Sequence, residues 1–160
     1  MQSKVLIAGT FDPITKGHMD LVARAAKEYD QVTIGIFINP DKTCLFSLET
    51  RLRLVKLAIQ DYPNVDVISN DGYTADFAKE HCYTLLRGYR NQDDLTYEKN
   101  MAAFNLARAG IHTILLPCTE DVSLISSSRV RAALAQGDFD TVKELVPAAC
   151  LPLLLEDTKV

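Results

Sequence analysis

Gly9-Thr10-Phe11-Asp12-Pro13-Ile14-Thr15-Lys16-Gly17-His18 gathers a glycine turn, a hydroxyl, a proline bend and an imidazole in one short stretch. The apolar run Val5-Leu6-Ile7-Ala8 before it has the composition of a buried parallel strand. From Gly17 onward a helix is expected, with Val22, Ala25, Ala26 and Tyr29 at i, i+3, i+4 and i+7 forming one core-facing stripe. A strand, a glycine-containing turn and a helix in succession aim backbone N–H groups and the positive end of a helix dipole at one point. Phosphate is the expected guest. Taken alone, the turn is equally that of an ordinary loop with a capping histidine.

Three further segments could handle anions. Lys42 lies in the polar loop Asn39-Pro40-Asp41-Lys42-Thr43, where a lysine is by itself a solvated charge. In Arg87-Gly88-Tyr89-Arg90 a strand runs into a turn carrying two guanidinium groups, suited to bidentate phosphate contacts. The alternative is that both arginines pair with acidic neighbours such as Asp93, Asp94 or Glu98. In Ile125-Ser126-Ser127-Ser128-Arg129-Val130-Arg131, hydroxyls suited to capping precede a helix that opens with cations. No Ser-His-Asp relay or Cys-His nucleophile is recognisable. None is needed if one phosphate oxygen attacks another phosphorus directly, because positioning and charge stabilisation then provide most of the rate.

The elements that must carry these residues alternate. Strands are expected at 5–8, 32–38, 65–68, 84–87 and 113–116. Ser47 should cap a helix with the stripe Leu48, Leu52, Val55 and Ile59. Further helices are expected near 74–81, 94–109, 127–135, 139–145 and 148–155. Strands alternating with helices imply βαβ crossovers. The fold class is therefore α/β, a Rossmann-like, doubly wound parallel five-stranded sheet with helices on both faces and C-terminal helices. Ligands in such sheets sit beyond the carboxyl ends of the strands, where the strand order reverses. Thr10 and His18 follow the first strand, Lys42 the second, Arg87 and Arg90 the fourth, and Ser126 to Ser128 the fifth.

Composition sets limits. With 160 residues, 48% of them hydrophobic, one domain spanning 1–160 is expected. A net charge of -4 and a pI near 5.3 argue against nucleic acid or anionic membrane as partner. Cys44, Cys82, Cys118 and Cys150 are scattered without metal-ligand spacing and are read as free thiols in a reducing compartment. No apolar run approaches the ~20 residues that span a bilayer, and no signal-peptide core is present, so a cytoplasmic location is expected.

The block ending Thr15-x-Gly17-His18 resembles the (H/T)-x-G-H signature of nucleotidylyltransferases, and as a whole resembles the phosphopantetheine adenylyltransferase family. Cytidylyltransferases and nicotinamide mononucleotide adenylyltransferases usually have histidine where this chain has Thr15. The resemblance extends, in order, through Asn39-Pro-x-Lys42, Phe46-Ser47-Leu48-Glu49-x-Arg51, Arg87-Gly88-Tyr89-Arg90, Asp94-x-x-Tyr97-Glu98, Asn105 and Ile125-Ser126-Ser127-Ser128. It implies transfer of the adenylyl group of ATP to 4'-phosphopantetheine with Mg2+ held mainly by the ATP phosphates, and no metal ligands from the protein. Dephospho-coenzyme A and pyrophosphate are the implied products. It further implies a homohexamer built as a dimer of trimers, and coenzyme A as a feedback ligand. By the same resemblance His18 stabilises the transition state, with Lys42 and Thr10 also catalytic. ATP contacts fall to Thr10, Phe11, His18, Gly88, Tyr89, Arg90, Glu98, Val122, Ser123, Leu124, Ile125, Ser126, Ser127 and Ser128. Thr10, Lys42, Thr74 and Arg87 contact the acceptor. Three departures stand out: Thr74 replaces a usual Leu or Met, Val122 a common aromatic, and the Ala109-Gly110-Ile111-His112 link is short.

Overall fold

The computed structural model describes residues 3–157; the outermost positions of the expected 1–160 domain lie outside the described residues. Five strands, β1 (Lys4–Gly9), β2 (Gln31–Phe37), β3 (Val65–Asn70), β4 (Thr84–Tyr89) and β5 (Thr113–Pro117), form one sheet in the order β3-β2-β1-β4-β5. All pairings are parallel. The chain moves outward from β1 to β3 and then returns to place β4 on the other side of β1. The order thus reverses between β1 and β4, at the strands that carry Thr10 and Arg87.

Side chains alternate across β1 because the strand period is two. Val5 and Ile7 join the larger core with Val22 and Ala25 of α1 (Lys16–Glu28), Leu54 and Val55 of α2 (Leu48–Ala58) and Val130 of α5 (Ser127–Ala135). Leu6 and Ala8 point the other way, to Leu85 and to Ala78 of α3 (Thr74–Glu80). The longest helix, α4 (Gln92–Ala109), links β4 to β5 and ends at Gly110, whose φ of 68° is open to glycine at little cost. Two short helices, α6 (Phe139–Leu145) and α7 (Leu151–Asp157), close the described chain.

Three expectations are corrected. β4 extends through Tyr89, paired with β5 at Gly88↔Leu116 and Tyr89↔Pro117, so Arg87 is fixed in a strand and only Arg90 lies in the turn. The segment expected as one helix near 148–155 is a 3-10 turn, Ala148–Cys150, followed by α7. Pro152 explains this: it lacks an N–H and is tolerated in a helix only within the first turn. Finally, α1 begins at Lys16, one residue before Gly17, because Thr15 caps it. Among the described residues no helix is long and apolar enough to cross a membrane.

Candidate active site

A cleft of about 410 Å3 opens at the carboxyl ends of β1 and β4, lined by Thr10, Phe11, His18, Arg87, Gly88, Arg90, Glu98, Val122, Ile125, Ser126 and Ser127 among others. His18 is held by a reciprocal cap. Its Nδ1 accepts the Thr15 backbone N–H at 3.0 Å, and its own N–H donates to Thr15 Oγ1 at 3.3 Å. Acceptance at Nδ1 places the ring proton on Nε2, a neutral donor. Burial, aided by the Arg87 and Arg90 charges, lowers the His18 pKa from 6.5 to about 4. His18 therefore joins the site as a neutral hydrogen-bond donor rather than as a cation. The Phe11 ring packs against it with centroids 4.7 Å apart, from a backbone at φ 51°, a left-handed conformation uncommon outside glycine.

The two arginines are oriented by carboxylates, as the local pairing alternative had it. Arg87 donates from Nε and Nη2 to buried Glu98 at 2.9 and 2.7 Å, and from Nη1 to the Ala8 carbonyl. Burial works against the Arg87 charge, but the Glu98 hydrogen bonds and charge outweigh it and raise the guanidinium pKa. Arg90 donates from its backbone N–H and from Nε to Asp94. At the mouth of α5, Ser126 caps the helix by accepting the Arg129 N–H, and Ser127 Oγ donates to the Pro13 carbonyl at 2.8 Å. The two helix starts are thereby joined side by side.

A second groove of about 490 Å3 is lined by Thr74, Phe37, Tyr73, Met101, Phe104 and Asn105, and it shares Thr10, Arg87, Tyr97 and Glu98 with the cleft. Arg108 of α4 lies 3.9 Å over the Tyr73 ring and chelates Asp76 of α3, which fixes that wall. Lys42 lines a third recess of about 210 Å3 that also reaches Thr10. Four expected residues do not line the cleft. Ser123 Oγ donates to the Glu120 carbonyl, Leu124 is 74% exposed, Ser128 Oγ accepts from Arg131, and Tyr89 ends β4.

Sequence reasoning assigned no individual role to Asp12, Arg51 and Arg131. Asp12 is buried, with its carboxylate accepting the N–H groups of Leu45 and Phe46 at 2.8 and 2.9 Å. Buried Arg51 donates from Nη1 to the Thr10 carbonyl and from Nε to the Phe46 carbonyl. Arg131 donates to the Asp12 carbonyl at 2.8 Å. One signal was available: position 51 falls on the same helix face as Leu48 and Val55, where a cation is out of place unless it is paired inward. Among the described residues no group of three or more His, Cys, Asp or Glu is gathered as metal ligands. The carboxylates lining the cleft, Asp12, Asp94 and Glu98, all accept from protein donors.

A sequence model of the cytidylyltransferase-like family matches residues 6–133, a span that runs from β1 into α5 and contains every residue of the cleft. Curated relatives are phosphopantetheine adenylyltransferases. That of Cutibacterium acnes is 43% identical over 145 residues, covering 90% of this chain and 91% of the relative. That of Streptococcus uberis is 40% identical over 158 residues, 96% and 94% of the two chains. The relative from Actinobacillus pleuropneumoniae serotype 3 is 40% identical over 159 residues, 98% and 99%. The chain belongs to the phosphopantetheine adenylyltransferases of the cytidylyltransferase-like family. The cleft lies at the sheet's switch point, where ligands of open parallel sheets bind.

Proposed function

We propose that the chain, acting as one nucleotidyltransferase domain, transfers the adenylyl group of ATP to 4'-phosphopantetheine, giving dephospho-coenzyme A and pyrophosphate. One observation carries this reading: the cleft and the second groove meet at a common wall of Thr10, Arg87 and Glu98. A nucleotide in the first and an extended acceptor in the second bring two phosphates together at that wall. The acceptor's phosphate oxygen attacks the α-phosphorus in line, and the bond to the pyrophosphate oxygen breaks. No covalent enzyme intermediate forms.

His18 donates from Nε2 to the α-phosphate as charge builds, Thr10 contacts both phosphates, and Lys42 neutralises the approaching oxygen from its recess. Arg87 holds the acceptor phosphate, while Arg90, Gly88, Phe11, Glu98, Val122, Ile125, Ser126 and Ser127 hold the nucleotide. Thr74 lines the acceptor's groove. Mg2+ would be carried by the triphosphate, where it would neutralise phosphate charge. A cytoplasmic location, feedback binding of coenzyme A and a hexameric assembly follow from the same reading. Exposed Leu106 on α4, outside the cleft and the groove, is apolar surface for assembly to cover.

The test is pyrophosphate release from ATP with 4'-phosphopantetheine, nicotinamide mononucleotide or phosphocholine as acceptor. Release is expected with the first alone. Release with another acceptor reassigns the substrate, and none with any acceptor despite ATP binding marks a nucleotide sensor.

A further inference from the structure

Lys42 lies in the loop after β2 and His18 in the first turn of α1, yet the proposed chemistry needs both at one phosphorus centre. The loop from Asn39 to Ser47 between β2 and α2 is joined to the turn between β1 and α1 by two direct hydrogen bonds and one side-chain bridge, all made by two buried charged residues. Asp12 accepts the Leu45 and Phe46 N–H groups with separate carboxylate oxygens, and Arg51 bridges the Thr10 and Phe46 carbonyls. Asp12 is 5% exposed and Arg51 6%. Each group occupies a recess wall of the site, Asp12 in the cleft and Arg51 beside Lys42.

We propose that Asp12 and Arg51 are positioning residues that set the distance between Lys42 and Thr10, and so deliver the ammonium group to the reacting phosphate. The inference rests on the adenylyl-transfer reading. The chemistry is specific to these side chains. An amide at position 12 turns one acceptor into a donor facing a backbone N–H, and a lysine at 51 replaces a planar fork, which reaches the two carbonyls from Nε and Nη1 separately, with a single nitrogen on a flexible stem. Arg51 does not line the cleft, so its replacement leaves the cleft walls intact, whereas Asp12 lines the cleft and also faces Arg131 at 3.8 Å, which makes Arg51→Lys the cleaner probe.

The experiment is a pair of double-mutant cycles. Arg51→Lys is expected to lower turnover and raise the KM for 4'-phosphopantetheine, with KM for ATP unchanged, since misplacing a reacting group by about 1 Å costs on the order of 10²-fold. In the Lys42→Ala background the same change should act within about 2-fold, the scatter of independent sites, whereas in the Arg90→Ala background it should act in full. Asp12→Asn should speed amide exchange at Leu45 and Phe46 and reproduce the acceptor-side KM effect. An equal Arg51→Lys effect in both backgrounds, or a matching rise in KM for ATP, reduces the brace to general stability and overturns the inference while wild-type turnover stands. Absence of wild-type turnover overturns the functional reading, and the inference falls with it.

Discussion

At the scale of single residues, the consequential finding is that the site's imidazole is uncharged. The Thr15 N–H occupies Nδ1, and burial with two neighbouring guanidinium groups makes a second proton costly. On the proposed reading, transition-state stabilisation then depends on a directed Nε2–H donor, not on net charge at position 18. His18→Ala should remain folded and lose on the order of 10²- to 10³-fold in turnover, as removal of a preorganised donor does; rate measurements beside circular dichroism test this. A pH–rate profile of the wild type should show no limb near 6.5 belonging to His18, because it stays neutral down to about pH 4. Stability carries the complementary signature. The unfolded chain binds a proton near 6.5 and the folded one only near 4, so the contribution of neutral His18 is present above pH 6.5 and is lost as pH falls toward 4. His18→Gln should flatten the fall in Tm between pH 6.5 and 5, above the range where most carboxylates titrate. An unchanged slope would place the imidazole in an ordinary solvated setting.

Elements were legible to the extent that their own periodicity defined them. All five strands and the stripes of α1 and α2 follow from local pattern, since Leu48, Leu52, Val55 and Ile59 pack on the core as their spacing requires. What local pattern could not supply was the partner across the sheet. β4 gains Gly88 and Tyr89 only because β5 offers Leu116 and Pro117 as ladder partners. Likewise, the pairing of Arg87 with Glu98 depends on α4 folding back over β4 across 11 residues. Gly35 shows the same dependence. Nothing in Val32-Thr33-Ile34-Gly35-Ile36 marks it as constrained, but a Cβ there would lie 2.5 Å from the Phe37 ring and 3.1 Å from Leu6. Gly35→Ala should cost about 1–3 kcal/mol, the usual penalty for overpacking. Because Phe37 lines both the second groove and the Lys42 recess, the variant should also raise KM for the acceptor more than for ATP. Denaturant melts and steady-state kinetics together check it. A stability loss without an acceptor effect would show that the ring can yield without disturbing the groove.

Across the whole molecule, an acidic chain gathers Arg87, Arg90 and Arg131 in one cleft at the carboxyl edge of the sheet, the edge to which the short-range motifs pointed. Thr10, His18, Arg87, Ser126 and Ser127 do converge there. The brace of Asp12 and Arg51 stayed hidden because three of its four bonds span 33 to 41 residues and all four end on backbone atoms, which carry no sequence signature. The four free cysteines probe this arrangement without any assay of turnover, since each sits in a different environment. Cys82 is exposed and should alkylate first. Cys150 is fully buried, donates to the Leu54 carbonyl, and has its thiol pKa pushed up to about 11 by burial, so it should react only as the chain unfolds. Cys118 lines the cleft and Cys44 the Lys42 recess, both at intermediate exposure. Saturating ATP should therefore slow labelling of Cys118 while leaving Cys82 unchanged, as followed by peptide mass spectrometry over time. If ATP protects Cys44 and not Cys118, the nucleotide occupies the recess beside Lys42, and the roles given to the cleft and the recess must be exchanged.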